Sequence, residues 1–142
     1  MDAYCKEKDI EICVIKFTYY ESKISIITIY RSPIGNFEYF LHRLEESLQA
    51  LYDPSIDIIC GDLNVDYQVE NQRKHQLNNL LHSFNLISII TFPTRVYNKS
   101  STTIDNMFLD PSRYEEYSVI PIYNGLSDHD AQLLIIAKKN SS

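Results

Sequence analysis

Three short polar clusters stand at the ends of apolar, β-rich runs, and their residue types suit acid–base and metal chemistry. Gly61-Asp62-Leu63-Asn64 follows the run Ile56 to Cys60. Residues i and i+2 of an extended chain point to one side, so Asp62 and Asn64 are expected to project together. A carboxylate there can take a proton from water or hold a metal ion, and the amide beside it can hold that water or a phosphate oxygen. The glycine lets the backbone turn or approach a ligand closely. The same residues also read as an Asx-type turn that closes the strand. In the second cluster, Thr102-Thr103-Ile104-Asp105, a carboxylate sits inside a β-like run that continues to Leu109. Burying it is costly unless it is paired; the alternative is the exposed face of an edge strand. The third is Ser127-Asp128-His129-Asp130, which reads as a cap, as a solvated acidic loop, or as a working histidine. Adjacent Ser, Asp and His cannot line up as a hydrolase triad. An imidazole here suits phosphate contact or general-acid work if a carboxylate from elsewhere orients it, and Asp105 is the natural source.

Alternating elements must position these clusters. Residues 10–20 and 23–30 are rich in Ile, Val, Thr and Tyr and read as a strand pair separated at Glu21-Ser22. Gly35-Asn36 offers a cap to a helix whose apolar residues Phe37, Phe40, Leu41, Leu44, Leu48 and Leu51 share one face before Asp53-Pro54 ends it. Glu38, Arg43, Glu45 and Glu46 occupy the solvated faces. Ile56 to Cys60 suits a strand buried on both sides. A second helix is expected from about Glu70, with Leu77, Leu80, Leu81 and Phe84 inward. Strands are expected at 87–92, 103–109, 117–122 and 132–137, with a loop at Gly125 to His129. Helices alternating with strands in the middle, and hairpin-like strands at both ends, favour a mixed sheet covered by helices.

Composition narrows the class. A chain of 142 residues with 44% hydrophobic and 23% charged residues can build a core and is not a disordered sequence. The formal charge of −6 disfavours a nonspecific nucleic-acid binder. It is compatible with an enzyme whose carboxylates hold cations. Three cysteines, Cys5, Cys13 and Cys60, with no CxxC pair, argue against a disulfide framework or a cysteine zinc site and for a reducing, intracellular setting, nucleus or cytoplasm. The first nine residues are too charged for a signal peptide, and no apolar run approaches the ~20 residues that span a bilayer.

The order Tyr30-Arg31-Ser32-Pro33, Gly61-Asp62-Leu63-Asn64, Ile104-Asp105-Asn106-Met107-Phe108, Ser127-Asp128-His129 resembles the endonuclease/exonuclease/phosphatase superfamily. With Phe92-Pro93-Thr94-Arg95 and the run from Ser100 to Asp105, it is most similar to the endonuclease domain of non-LTR (LINE-type) retrotransposon endonuclease–reverse transcriptase proteins, over about residues 11–137. The resemblance implies a DNA-nicking phosphodiesterase that uses Mg²⁺ or Mn²⁺, within a longer parent protein that carries a reverse transcriptase domain. It implies that Asp62 deprotonates or positions the attacking water and helps hold the metal, and that Asn64 holds the water. His129 would contact the scissile phosphate with Asp105 fixing its tautomer. Asp128 would help bind the metal, Tyr30 would touch the phosphate, Arg31 and Arg95 would grip the DNA backbone, and Thr102 would support the phosphate or a flipped-out nucleotide.

Similar proteins carry an N-terminal part, with an asparagine and a metal-binding glutamate, that residues 1–142 do not match. The expected fold is therefore α/β (α+β), the C-terminal portion of a four-layer α/β/β/α sandwich with mixed β-sheets, and a partial domain. Glu7, Glu11 and Glu21 do not sit in the context of that glutamate, and Asn106 stands where the family often has an aromatic residue. Too few metal ligands weaken Mg²⁺ binding, so the chain alone is expected to be a weak or inactive nuclease. The competing class is a non-catalytic transposon-derived remnant or a DNA- or protein-binding module. A lipid or inositol phosphodiesterase fits the Tyr30–Pro33 and Pro93–Arg95 contexts less well.

Overall fold

The computed structural model describes residues 10–52 and 56–138; Cys5 and the charged N-terminus lie outside them. Strands β1 (Ile10–Tyr19) and β2 (Ser22–Arg31) pair antiparallel along their whole length. The connection is Tyr20-Glu21, one residue earlier than the sequence suggests. Both residues adopt positive φ (45° and 65°), the two-residue geometry that matches the twist of a hairpin. Helix α1 (Phe37–Leu51) follows, and the Asn36 side chain caps it by accepting from the Tyr39 amide at 2.9 Å. It carries the chain back so that β3 (Ile58–Asp62) lies parallel to β2. Helix α2 (Gln72–His82) is capped in the same way by Asn71, at 2.8 Å from the Lys74 amide.

The expected strand at 87–92 is only β4 (Ile87–Ser88), and a short hairpin follows that sequence periodicity does not mark: β5 (Arg95–Tyr97) with β6 (Ser100–Thr102). β7 (Asp105–Leu109) then runs antiparallel to β3 and β4, which completes a five-stranded mixed sheet in the order β1-β2-β3-β7-β4. After a single 3₁₀ turn (Pro111–Arg113), β8 (Tyr114–Ile122) and β9 (Ala131–Lys138) form a separate antiparallel pair.

Both helices pack on one sheet face. Phe37, Phe40, Leu44 and Leu48 of α1 and Leu77 and Leu81 of α2 enclose Ile10, Ile12, Ile27, Ile29, Ile59 and Phe108. The opposite face receives the β8–β9 pair, where Val119, Leu134 and Ile136 pack near Leu109 and Met107. The architecture is thus a mixed α/β fold built on a five-stranded mixed sheet. At the sheet end far from the polar clusters, Arg113 Nη2 lies 3.2 Å from the buried Asp57 carboxylate, which also accepts from the Ser25 amide at 2.9 Å. That clasp ties the start of β8 to the start of β2 and β3. Among the described residues no helix is long and apolar enough to cross a membrane.

Candidate functional site

Strand register builds the centre of the site. Tyr30 of β2 lies opposite Asp62 of β3, and Asp62 lies opposite Asp105 of β7. Cross-strand partners share a face, so these three side chains form a row on the face opposite the helices. Gly61 makes the row possible. Its φ is 141°, and a Cβ there would be driven into the Ile29 carbonyl of β2. The glycine therefore serves a close approach between two strands.

Asp62, Asp105 and His129 converge, each with one ligand-capable atom, and these atoms lie within 4.8 Å of one another. His129 Nδ1 is 2.8 Å from Asp105 Oδ2, as the sequence suggests for an oriented imidazole. With Nδ1 engaged, Nε2 is the ring nitrogen left for another partner. Desolvation, and after it the neighbouring Asp105 carboxylate, hold Asp62 above the usual carboxylate range. A cation in this cluster would relieve that repulsion, so the donor set fits a divalent ion.

The remaining expected residues surround this centre in different ways. The Asn64 amide N–H donates to Asp62 Oδ1 at 3.1 Å, while its side chain donates to the Arg31 carbonyl at 2.6 Å. Asn64 adopts a left-handed φ of 51° to do so, and thereby fixes the Asp62 carboxylate. Tyr30 is 43% exposed at the end of the row. Arg31, expected on the DNA backbone, is only 1% exposed. Its Nε donates to the Leu63 carbonyl at 2.8 Å and its Nη2 to the Asn64 carbonyl at 3.0 Å, while its guanidinium lies over the Phe37 and Phe40 rings. Arg31 thus clamps the loop after β3 from beneath and offers no surface to a solvent-borne phosphate.

Asp128, expected as a metal ligand, stands outside the converging cluster. Its Oδ2 is 2.6 Å from Arg95 Nε, and this hydrogen bond, ahead of the opposite charge itself, lowers the carboxyl below its usual range. Arg95 in turn lies over the Tyr97 ring. Thr102 is half-buried on β6, and its carbonyl accepts from the Thr94 amide at 2.9 Å.

Sequence reasoning missed the device that holds the His129 loop. The Val96 amide donates to the Asp128 carbonyl at 2.9 Å and the Asp130 amide to the Thr94 carbonyl at 2.8 Å, with a bridge between Arg95 and His129. The loop is therefore laid along β5 like an added strand. Asp66 also escaped notice. Its Oδ1 accepts from the Thr103 amide at 3.0 Å, and the Leu63 amide donates to the Ile104 carbonyl at 3.0 Å, which locks the loop after β3 against the entry to β7. An Asp two residues after Asn64 was the available signal.

Comparison with solved structures supports the same fold. The endonuclease domain of TRAS1, a telomere-specific non-LTR retrotransposon, superposes with a TM-score of 0.75 at 18% identity, covering 91% of this chain and 64% of that one. An endonuclease/exonuclease/phosphatase family protein from Leptotrichia buccalis gives a TM-score of 0.62 at 17% identity, over 88% of this chain and 53% of that one. Beta toxin from Staphylococcus aureus, crystallised with bound magnesium ions, gives 0.58 at 12% identity, over 92% and 58%. The chain therefore spans less than two thirds of the length of each of these structures. No curated protein sequence matches it. A family model described as endonuclease-reverse transcriptase matches residues 24–133, well over half of the chain and all the clusters described above. The chain belongs to the endonuclease–reverse transcriptase family, and its structure has the endonuclease/exonuclease/phosphatase fold.

Proposed function

We propose that the chain is the C-terminal portion of a divalent-metal-dependent DNA endonuclease domain that hydrolyses phosphodiester bonds, and that nicking by this chain alone is slow. The observation that carries this reading is the convergence of Asp62, Asp105 and His129 from three separate stretches of sequence to within 4.8 Å. Asp62, held above its usual range by burial and by Asp105, is suited to take a proton from the attacking water. The water oxygen bonds to phosphorus as the bond to the 3′ oxygen breaks. The proton gained at Asp62 balances the one delivered to the leaving 3′-hydroxyl. His129, oriented through Nδ1 by Asp105, points Nε2 at a phosphate oxygen, and Tyr30 flanks it. Asp62 and Asp105 would hold the metal ion, Mg²⁺ or Mn²⁺, with Asp128 close by on Arg95. When bound it supplies neutralisation of charge developing on the phosphate. Arg95 and Tyr97 on the β5–β6 hairpin, with Thr102 at its base, border the site where a DNA strand would pass.

The superposition leaves about a third of the TRAS1 domain without a counterpart. The slow rate follows, on this reading, from the family's asparagine and metal-binding glutamate, which residues 1–142 do not match. A reverse transcriptase domain in a longer parent protein is the partner the reading implies. Nicking of supercoiled plasmid with Mg²⁺ or Mn²⁺, with and without chelator, tests it. The expected result is slow, chelator-sensitive nicking that drops at least about 100-fold in Asp62→Ala and in His129→Ala. Nicking that survives both substitutions would sink the proposal. Absence of both nicking and calorimetric Mn²⁺ binding would favour a non-catalytic remnant instead.

A further inference from the structure

Thr94 is wholly buried and bonds to three stretches of chain that meet at the site. Its amide donates to the Thr102 carbonyl at 2.9 Å, and its carbonyl accepts from the Asp130 amide at 2.8 Å. Its hydroxyl oxygen accepts from the Asp105 amide at 3.1 Å. The first two are main-chain bonds that any residue other than proline could make. The third requires a side-chain oxygen at this position. It is received where the chain enters β7, from the very residue whose carboxylate holds His129 Nδ1 at 2.8 Å. The second bond holds the residue that follows His129. One buried residue thus references both halves of the Asp105–His129 pair to the same point, through its side chain for the carboxylate and through its backbone for the imidazole.

Around this contact the backbone is otherwise supplied. The Thr103 amide bonds Asp66, the Thr103 carbonyl accepts from the Tyr67 amide at 3.0 Å, and the Ile104 carbonyl accepts from Leu63. The carbonyls of Thr103 and Ile104 thus already have donors of their own, and the Asp105 amide is bonded to the Thr94 hydroxyl. An isosteric apolar side chain would fill the volume but leave that amide without its acceptor in the interior, where an unmade hydrogen bond is costly. The backbone would then turn to recover a partner, and the carboxylate would turn with it.

We propose that Thr94 is a positioning residue for the Asp105–His129 pair: its hydroxyl fixes the backbone from which the Asp105 carboxylate projects, and through that carboxylate the tautomer and orientation of the imidazole. Its relevance to catalysis rests on the hydrolytic reading above, but the geometry stands apart from it. The test compares wild type, Thr94→Val and Thr94→Ser by amide hydrogen exchange and by ¹⁵N spectra of the histidine rings. In Thr94→Val the Asp105 amide is expected to exchange at least about tenfold faster, while the Asp130 amide, bonded to the Thr94 carbonyl, keeps its wild-type protection. The His129 ring is expected to lose its single Nδ1–H form and show a mixture of tautomers. Thr94→Ser, which keeps the oxygen, is expected to restore both signals. Unchanged Asp105 and His129 signals in Thr94→Val would overturn the proposal. So would equal acceleration at Asp105 and Asp130, which marks general loosening. If the valine variant does not fold, a mixed His129 tautomer in a folded Thr94→Ser overturns it and a single tautomer supports it. Neither readout requires DNA cleavage, so failure here and failure of the nicking assay are separate results.

Discussion

At the residue scale, the residues that converge were legible because the clusters that hold them are local and polar. Asp62 and Asp105 each interrupt an apolar context, His129 stands in an acidic loop, and the structure brings all three together. The resemblance implies Arg31 on the DNA backbone, but its guanidinium is taken up by the Leu63 and Asn64 carbonyls, which are distant in sequence and so invisible in local context. Two side chains carry pH predictions. Burial, then Asp105, raises Asp62. The native state therefore retains a proton that the unfolded chain has released. The contribution of this group to stability falls as pH rises from the ordinary carboxylate range through the raised value, and remains low at neutrality. Asp62→Asn is expected to gain about 0.5–1 kcal/mol at neutral pH, with the gain vanishing in acid below both values; paired urea titrations measure it. Tyr114 is 2% exposed, its hydroxyl has no hydrogen-bond partner, and burial pushes its pKa up to about 12. Tyr114→Phe is expected to stabilise by about 1 kcal/mol at neutral pH, because an unsatisfied buried hydroxyl is removed. Above the ordinary tyrosine value of about 10 the unfolded chain ionises first, so wild type loses stability as pH rises towards the raised value. The phenylalanine variant lacks that loss, and denaturant midpoints near neutrality and in alkali should show the gap widen.

At the element scale, the two helices and the long strands follow from apolar spacing, and Asn36 and Asn71 cap as their types suggest. The β5–β6 hairpin was not legible. Its strands are three residues each, and their burial pattern is exposed or half-buried throughout. No apolar period exists to read, because the hairpin is held by backbone bonds to distant residues. Gly61 was legible as special from its type, but the partner that makes it so, the Ile29 carbonyl on the neighbouring strand, was not. Gly61→Ala combines a positive φ with a backbone collision. It is expected to cost at least about 3 kcal/mol, or to prevent folding. Thermal unfolding of the purified variant checks this, and a cost below 1 kcal/mol would refute the packing argument. Asp62 moves with the strand, so any folded Gly61→Ala is expected to lose the divalent-ion binding proposed above, which calorimetry with Mn²⁺ would read.

At the scale of the whole molecule, one sheet face is finished and the other is not. Helices cover Ile10, Ile12 and Val14, whereas Ile15 and Phe17 on the opposite face are 52% and 43% exposed. The outer side of the β8–β9 pair shows Ile120, Ile122, Leu133 and Ile135 to solvent. An apolar surface of this kind favours association, and the unpaired edges of a two-stranded sheet add to it. The chain is therefore expected to self-associate as concentration rises despite its charge of −6. The double substitution Ile15→Lys with Ile135→Lys should return it to monomer in sedimentation velocity, while changing unfolding free energy by no more than about 0.5 kcal/mol per site. Unaltered sedimentation would show that these faces do not drive association.

The interleaved strand order has a kinetic consequence. The β1–β2 and β8–β9 pairs join neighbours in sequence, and such hairpins form within microseconds. Asp62 and Asp105 instead lie far apart in sequence, and β3 must await both the crossover through α1 and the arrival of β7 before they meet. Closing loops of this length costs entropy before any contact repays it. The two hairpins are therefore expected to gain protection before the residues of the site do, an order that pulse-labelled amide exchange during refolding checks.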